Sequence, residues 1–157
     1  MKITPWEVKL SDQYIAGFLD GDGSIIALIG PTHQRRFPYR VKLRVNFTQK
    51  KKDGFILEAI KKHLDNLGNI RIQSKYNQAE LVIGNRQEVK KVLLRLKPFV
   101  IIKRNQLELA LQIIAVFEKG REGAKRVFLT EREHALVMVL ARKLRKFNSG
   151  TGGKSIR

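Results

Sequence analysis

Apolar positions along this chain switch between helical spacing and strict alternation, and each switch marks a predicted element. Leu10-Ser11-Asp12-Gln13 predicts a helix start, with Ser11 or Asp12 as N-cap and Leu10 as a staple before it. The helix continues through Tyr14, Ile15, Ala16, Gly17, Phe18 and Leu19, and Asp20-Gly21-Asp22-Gly23 ends it. Ser24 to Ile29 is apolar and β-branched and predicts a strand, with Gly30-Pro31-Thr32-His33-Gln34 as a loop tip. On the return, Arg40, Lys42, Arg44 and Asn46 alternate with Val41, Leu43, Val45 and Phe47. Period two sends one set inward and the other outward, so this strand is half-buried with a cationic outer face. Thr48 to Gly54 reads as a polar connection containing Lys50-Lys51-Lys52.

The second half shows no obvious tandem repeat of the first and continues a mixed layout. Phe55 to Leu67 predicts an amphipathic helix with Phe55, Ile56, Ala59, Ile60, Leu64 and Leu67 on one side, stopped by Gly68. A second hairpin follows: Ile70, Ile72 and Ser74 alternate with Arg71, Gln73 and Lys75, Tyr76-Asn77-Gln78 turns, and Ala79 to Ile83 returns. Its outward set is again basic and amide-bearing, the chemistry that reads guanine and adenine edges. Asn85 to Glu88 resembles a capping box before a helix carrying Val89, Val92, Leu93 and Leu96, which Pro98 breaks. A long helix opens at Ile102 or Lys103 and runs to Phe117, and Gly120 to Gly123 is a linker. Thr130-Glu131-Arg132-Glu133 starts a last helix through Leu136, Val137, Leu140 and Leu144. The layout is α+β, read as one domain over 1–147 with a flexible basic tail over 148–157.

Composition narrows the function. The chain has 157 residues, and 43% of them are apolar, enough for one packed core and short for two domains. With no cysteine, disulfides, thiolate zinc sites and Cys nucleophiles are excluded. No apolar run reaches the roughly 18 residues of a membrane span, and Met1 to Trp6 does not read as a signal peptide. An intracellular protein with access to nucleic acid is expected, with no membrane partner and no small-molecule substrate. The formal net charge is +18, from 32 Lys+Arg against 14 Asp+Glu, which calls for a polyanionic partner.

Against that charge, Asp20 and Asp22 stand out, because acidic groups at a helix C-terminus meet partial negative charge already there. Turn chemistry alone accounts for Asp-Gly-Asp-Gly. So does an oxygen-rich seat for a hard divalent cation such as Mg²⁺. A calcium loop starting at Asp20 fails, since its sixth position is Ile25 and its twelfth Pro31. Gly17 and Gly21, with Ala16 and Asp20 beside them, supply the small residues at i, i+4 that let two helix backbones approach closely.

Ile15-Ala16-Gly17-Phe18-Leu19-Asp20-Gly21-Asp22-Gly23 resembles the signature of the LAGLIDADG homing endonucleases, with Ala16, Gly17, Asp20, Asp22 and Gly23 matching the family's letters. The element order over about residues 8–118 is also similar to that family's αββαββα unit. The resemblance implies an antiparallel four-stranded saddle sheet in the DNA major groove, with additional C-terminal helices. It implies a metal-dependent, site-specific endonuclease that hydrolyses one phosphodiester bond per strand. Asp22 would bind Mg²⁺ or Mn²⁺, with the Gly21 carbonyl as a further ligand, and Gln49 and Lys103 would complete the catalytic set. Relatives often carry a basic residue near position 53, where this chain has Asp53, so which of Lys50, Lys51 and Lys52 meets a phosphate stays open.

One such motif per chain implies a homodimer on a pseudo-palindromic target, joined at Ala16, Gly17, Asp20 and Gly21. The candidate DNA-binding residues are Gln34, Arg35 and Arg36 at the tip, Arg40, Lys42, Arg44 and Asn46 on the first sheet half, and Arg71, Gln73 and Lys75 on the second. His33 sits at the hairpin tip, while His63 and His134 are structural or surface residues on helices. The competing functions are a non-catalytic nucleic-acid binder on the same fold (an RNA maturase or transcription regulator) and a basic ribosome-associated protein.

Overall fold

The computed structural model describes residues 3–33, 36–119 and 129–149. After a short 3-10 turn at Pro5–Glu7, the elements are α1 (Asp12–Asp22), β1 (Gly23–Pro31), β2 (Tyr39–Lys50), α2 (Phe55–His63), β3 (Asn69–Gln73), β4 (Gln78–Ile83), α3 (Arg86–Leu96), α4 (Arg104–Lys119) and α5 (Glu131–Asn148). This is the expected αββαββα order with further helices behind it. The strands form one antiparallel sheet in the order β1-β2-β4-β3, so the two hairpins meet along β2 and β4.

The helices cover one face of the sheet. Ile25, Ala27, Val41, Leu43, Val45, Phe47, Ala79, Leu81 and Ile83 point into a core shared with Ile15 and Leu19 of α1, Leu107 and Ile114 of α4, and Val137 and Leu144 of α5. Each large side chain buried there contributes about 1.5–3 kcal/mol. Ser11 is the N-cap of α1, its Oγ accepting from Tyr14 N at 3.1 Å. Asp12 instead ties three helices: its Oδ1 accepts from Arg95 Nε at 2.8 Å and lies 2.8 Å from His63 Nε2. Burial resists ionisation of Asp12, but the His63 hydrogen bond and the Arg95 charge and hydrogen bond outweigh it and hold the carboxyl below its ordinary value. Thr130 and Glu133 close the predicted capping box of α5, and Asn85 caps α3 through Gln87 N and Glu88 N.

Several boundaries differ from the sequence reading. Helix α1 runs through Asp22, and β1 leaves it at once from Gly23. A Cβ at Gly23 would lie 2.7 Å from Leu19 Cδ1 and 2.9 Å from Asn46 O, so only glycine allows that junction. Thr48 to Lys50 extend β2 rather than forming a loop, because β4 supplies Glu80, Ala79 and Gln78 as their partners. Helix α2 stops at His63 and buries Leu57 in place of the expected Phe55 and Ile56. Asp65 and Asn66 then turn with positive φ before Gly68 at +82°. Ser74 and Lys75 leave β3 for a 3-10 turn, so Lys75 is not on the strand's outward face. Asn148, read as tail, closes α5, and its Nδ2 donates to Ile25 O at 2.8 Å. The Gly120–Gly123 linker and residues 150–157 of the tail lie outside the described residues.

Candidate nucleic-acid interface and acidic corner

The C-terminal end of α1 meets Lys103, one of the expected catalytic residues, from far along the chain. Gly23 pairs with Phe47, and Gln49 lies two residues further along β2. The start of α4 reaches the same corner. Asp20 Oδ2 accepts from Ile101 N at 2.9 Å and Oδ1 from Lys103 N at 3.1 Å. Lys103 Nζ donates back to Asp20 O at 2.6 Å.

Asp20 thus opposes the dipole of its own helix because it satisfies free N–H groups just ahead of the next one. The ammonium of Lys103 is held two residues from Asp22, where it also offsets negative charge at the end of α1. Asp22 is exposed, and its carboxylate has no partner among the described residues. Gln49 Oε1 accepts from Lys50 N at 2.9 Å, and no contact joins Gln49 to Asp22 or Lys103 among the described residues. Those residues also contain no group of three or more His, Cys, Asp or Glu that would hold a metal. Among the described residues the corner therefore offers the Asp22 carboxylate and the main-chain carbonyls of a helix end.

From this corner the outer face of the sheet extends along both hairpins. Cross-strand rows place Leu28 beside Lys42, Ile26 beside Arg44, and Gly30 beside Arg40. Arg40 and Lys42 are exposed and Arg44 partly so. Asn46 departs from expectation: it is 6% exposed, and its Oδ1 has no partner. The reason is position, since Ser24 and Val82 flank it on both sides in the middle of the sheet.

On the second hairpin Arg71 and Gln73 face outward but are not free. Glu80 Oε2 accepts from Arg71 Nε at 2.7 Å and from Gln73 Nε2 at 3.0 Å. Glu80 was missed as a site residue. Its signal was an acid at an outward position of a strand in a strongly basic chain. Arg36 lies with its guanidinium 5.5 Å from the Phe37 ring centroid, while Gln34 and Arg35 are outside the described residues.

A basic saddle of antiparallel strands beside an acidic helix end is a specific combination, and comparison with known proteins decides its family. A family model described as LAGLIDADG endonuclease matches residues 15–102. The chain belongs to the LAGLIDADG endonuclease family. It is 31% identical to DNA endonuclease I-CreI of Chlamydomonas reinhardtii over 110 residues, covering 70% of this chain and 66% of that one. It is 32% identical to DNA endonuclease I-CvuI of Chlorella vulgaris over 114 residues, covering 73% and 70%. The crystal structure of I-CvuI in complex with the I-CreI target in the presence of Mg superposes with a TM-score of 0.77 at 26% identity, covering 93% of this chain and 85% of that one. The stretch shared with the two sequence relatives spans about two thirds of their length.

The LAGLIDADG helix is α1, and its exposed side is lined by Gln13, Gly17 and Gly21. A Cβ at Gly17 or Gly21 would meet nothing within 4 Å, so close packing inside the protomer does not explain either glycine. Ala16, expected on this side, is 0% exposed and belongs to its own core. Its position one residue before Gly17 turns it to the opposite flank of the helix. Asp20 is half-buried and engaged with α4, so it borders the open side rather than lining it. No helix among the described residues is long and apolar enough to cross a membrane.

Proposed function

We propose that this protein is a site-specific, metal-dependent DNA endonuclease acting as a homodimer, each copy hydrolysing one strand of a long pseudo-palindromic duplex. The observation that carries this reading is the exposed Asp22 carboxylate, without a partner among the described residues, two residues from the Asp20 carbonyl that anchors the Lys103 ammonium. The relatives named above are DNA endonucleases, and one of them was crystallised on a DNA target with Mg, the DNA not cleaved.

The donor set at the corner fits a hard divalent cation, being carboxylate and carbonyl oxygen only. Asp22 and the Gly21 carbonyl would hold it, the remaining positions falling to the partner protomer, the phosphate and water. When bound, Mg²⁺ or Mn²⁺ supplies an activated water and neutralises charge that develops on the phosphate. Lys103 adds a fixed positive charge toward the same phosphate. The Gln49 amide nitrogen orders water around the nucleophile, its Oε1 being occupied by Lys50 N. Gly17 and Gly21 form the seam between protomers, so that two copies of Asp22 face two scissile bonds across one axis. Arg40, Lys42 and Arg44, with Arg71 and Gln73, line the major groove. The protein works inside the cell, where DNA is reached.

A plasmid carrying the joined flanks of the protein's gene tests this. Linearisation with Mg²⁺ and none with chelator is the expected result. Asp22→Asn should bind the plasmid without cutting it. Binding with no cutting by wild type identifies a non-catalytic binder instead, and cutting by Asp22→Asn removes the site assignment.

A further inference from the structure

Helix α5 lies outside the motif unit, yet it touches both ends of the first hairpin. At its C-terminal end Asn148 Nδ2 donates to Ile25 O, at the root of β1. At its N-terminal end His134 donates from Nε2 to Tyr39 O at 3.0 Å, where β2 begins opposite Pro31. The same imidazole stacks on Phe37, ring centroids 4.1 Å apart and planes 3° from parallel. Between these ends Val137, Leu140, Ala141 and Leu144 are buried in the core. A helix of 18 residues is about 27 Å long, the reach of a splint along the back of the hairpin.

The tip needs such support. Beyond the last ladder pair of β1 and β2, Thr32 N donates to Pro38 O at 3.0 Å. Both residues that His134 touches adjoin a cation. Phe37 follows Arg36 and carries its guanidinium over the ring, and Tyr39 precedes the exposed Arg40. A guanidinium reads guanine through two parallel hydrogen bonds, and a site held about 0.5 Å loose forfeits that discrimination.

We propose that His134 is a positioning residue for target recognition, fixing through Phe37 and Tyr39 where the hairpin tip sets Arg36 and Arg40 against the outer base pairs of each half-site. The proposal rests on the DNA-binding reading above. The bond to Tyr39 O governs the Arg40 side of the tip and the stack on Phe37 governs the Arg36 side.

The test is selection of bound duplexes from a library randomised one base pair at a time, using the full-length protein. For His134→Ala the expected result is a loss on the order of tenfold in discrimination at the outermost base pairs, with the inner pairs unchanged. His134→Gln keeps a donor and should lose discrimination on the Arg36 side alone. His134→Phe keeps the stack and should lose it on the Arg40 side alone, and it preserves the ring packing if the alanine variant fails to fold. A merely structural role would lower affinity evenly at every position, and that outcome overturns the proposal, as does an unaltered profile. A wild type that selects no duplex overturns the proposed function and this inference with it. A selecting wild type with unaltered variants overturns this inference alone.

Discussion

Gly17 offers the sharpest test of how two copies meet, because one methyl group there has effects of opposite sign. It lies in the middle of α1 on the exposed side, with open space where a Cβ would go. In an isolated protomer Gly17→Ala should therefore raise stability by about 0.5–1 kcal/mol, the usual difference between these residues inside a helix. In the proposed dimer the same side faces its copy. A methyl forced into a close helix contact costs about 1–3 kcal/mol by overpacking. Two-fold symmetry inserts it twice, for a total of about 2–6 kcal/mol. At 1.4 kcal/mol per factor of ten, association weakens roughly 30-fold to 20,000-fold. Sedimentation velocity over a concentration series reads the dimer, and urea unfolding of the dilute protomer reads the helix. A dimer of unchanged strength with a more stable protomer refutes the placement of α1 at the axis. A less stable protomer refutes the open space at Gly17.

Other outcomes follow from the same contacts. Asp20→Ala strips the acceptor from Ile101 N and Lys103 N and should cost about 1–3 kcal/mol in urea unfolding while lowering cleavage through Lys103; Asp20→Asn, which keeps one acceptor, should lose less. Asp12 ionises below its ordinary value in the folded protein, so its stabilisation is complete at neutral pH and fades as pH falls below about 4. The stability gap between wild type and Asp12→Asn should close across that range, and a gap constant with pH would contradict the Asp12–Arg95–His63 tie. If the strand faces cover phosphates, affinity for duplex DNA should drop on the order of 10³-fold or more between 50 and 200 mM salt. A flat salt response would remove the saddle from the binding model.

Much of the fold was legible because period changes are physical. The alternation from Arg40 to Phe47 holds in the strand, and α3 ends two residues before Pro98, whereas α2 ends at His63, short of the expected stop at Gly68. What escaped was set by neighbours distant in sequence. Thr48 to Lys50 look like loop until β4 lies beside them. Asn46 looks like a base reader until Ser24 and Val82 close over it. Asp20 and Asp22 have the same residue type and spacing chemistry. The family resemblance alone told them apart in the sequence, giving the metal to Asp22 and the helix end to Asp20; the physical reason is the arrival of Ile101 and Lys103, 81 and 83 residues later than Asp20. Glu80 was overlooked because its meaning lies across the strand, in Arg71 and Gln73.

On the proposed DNA-binding reading, the shared oxygen of Glu80 constrains any effort to retarget this protein. Arg71, Gln73 and Glu80 form a single combinatorial unit, since replacing one strands the others with an unbalanced charge or an orphaned amide. Contacting residues of this kind couple by about 0.5–3 kcal/mol, enough to make single-site libraries misleading. Arg40 and Lys42 have no such bond among the described residues and can be randomised one at a time. A redesign campaign would therefore explore the first hairpin by point substitution and the second only by triplets.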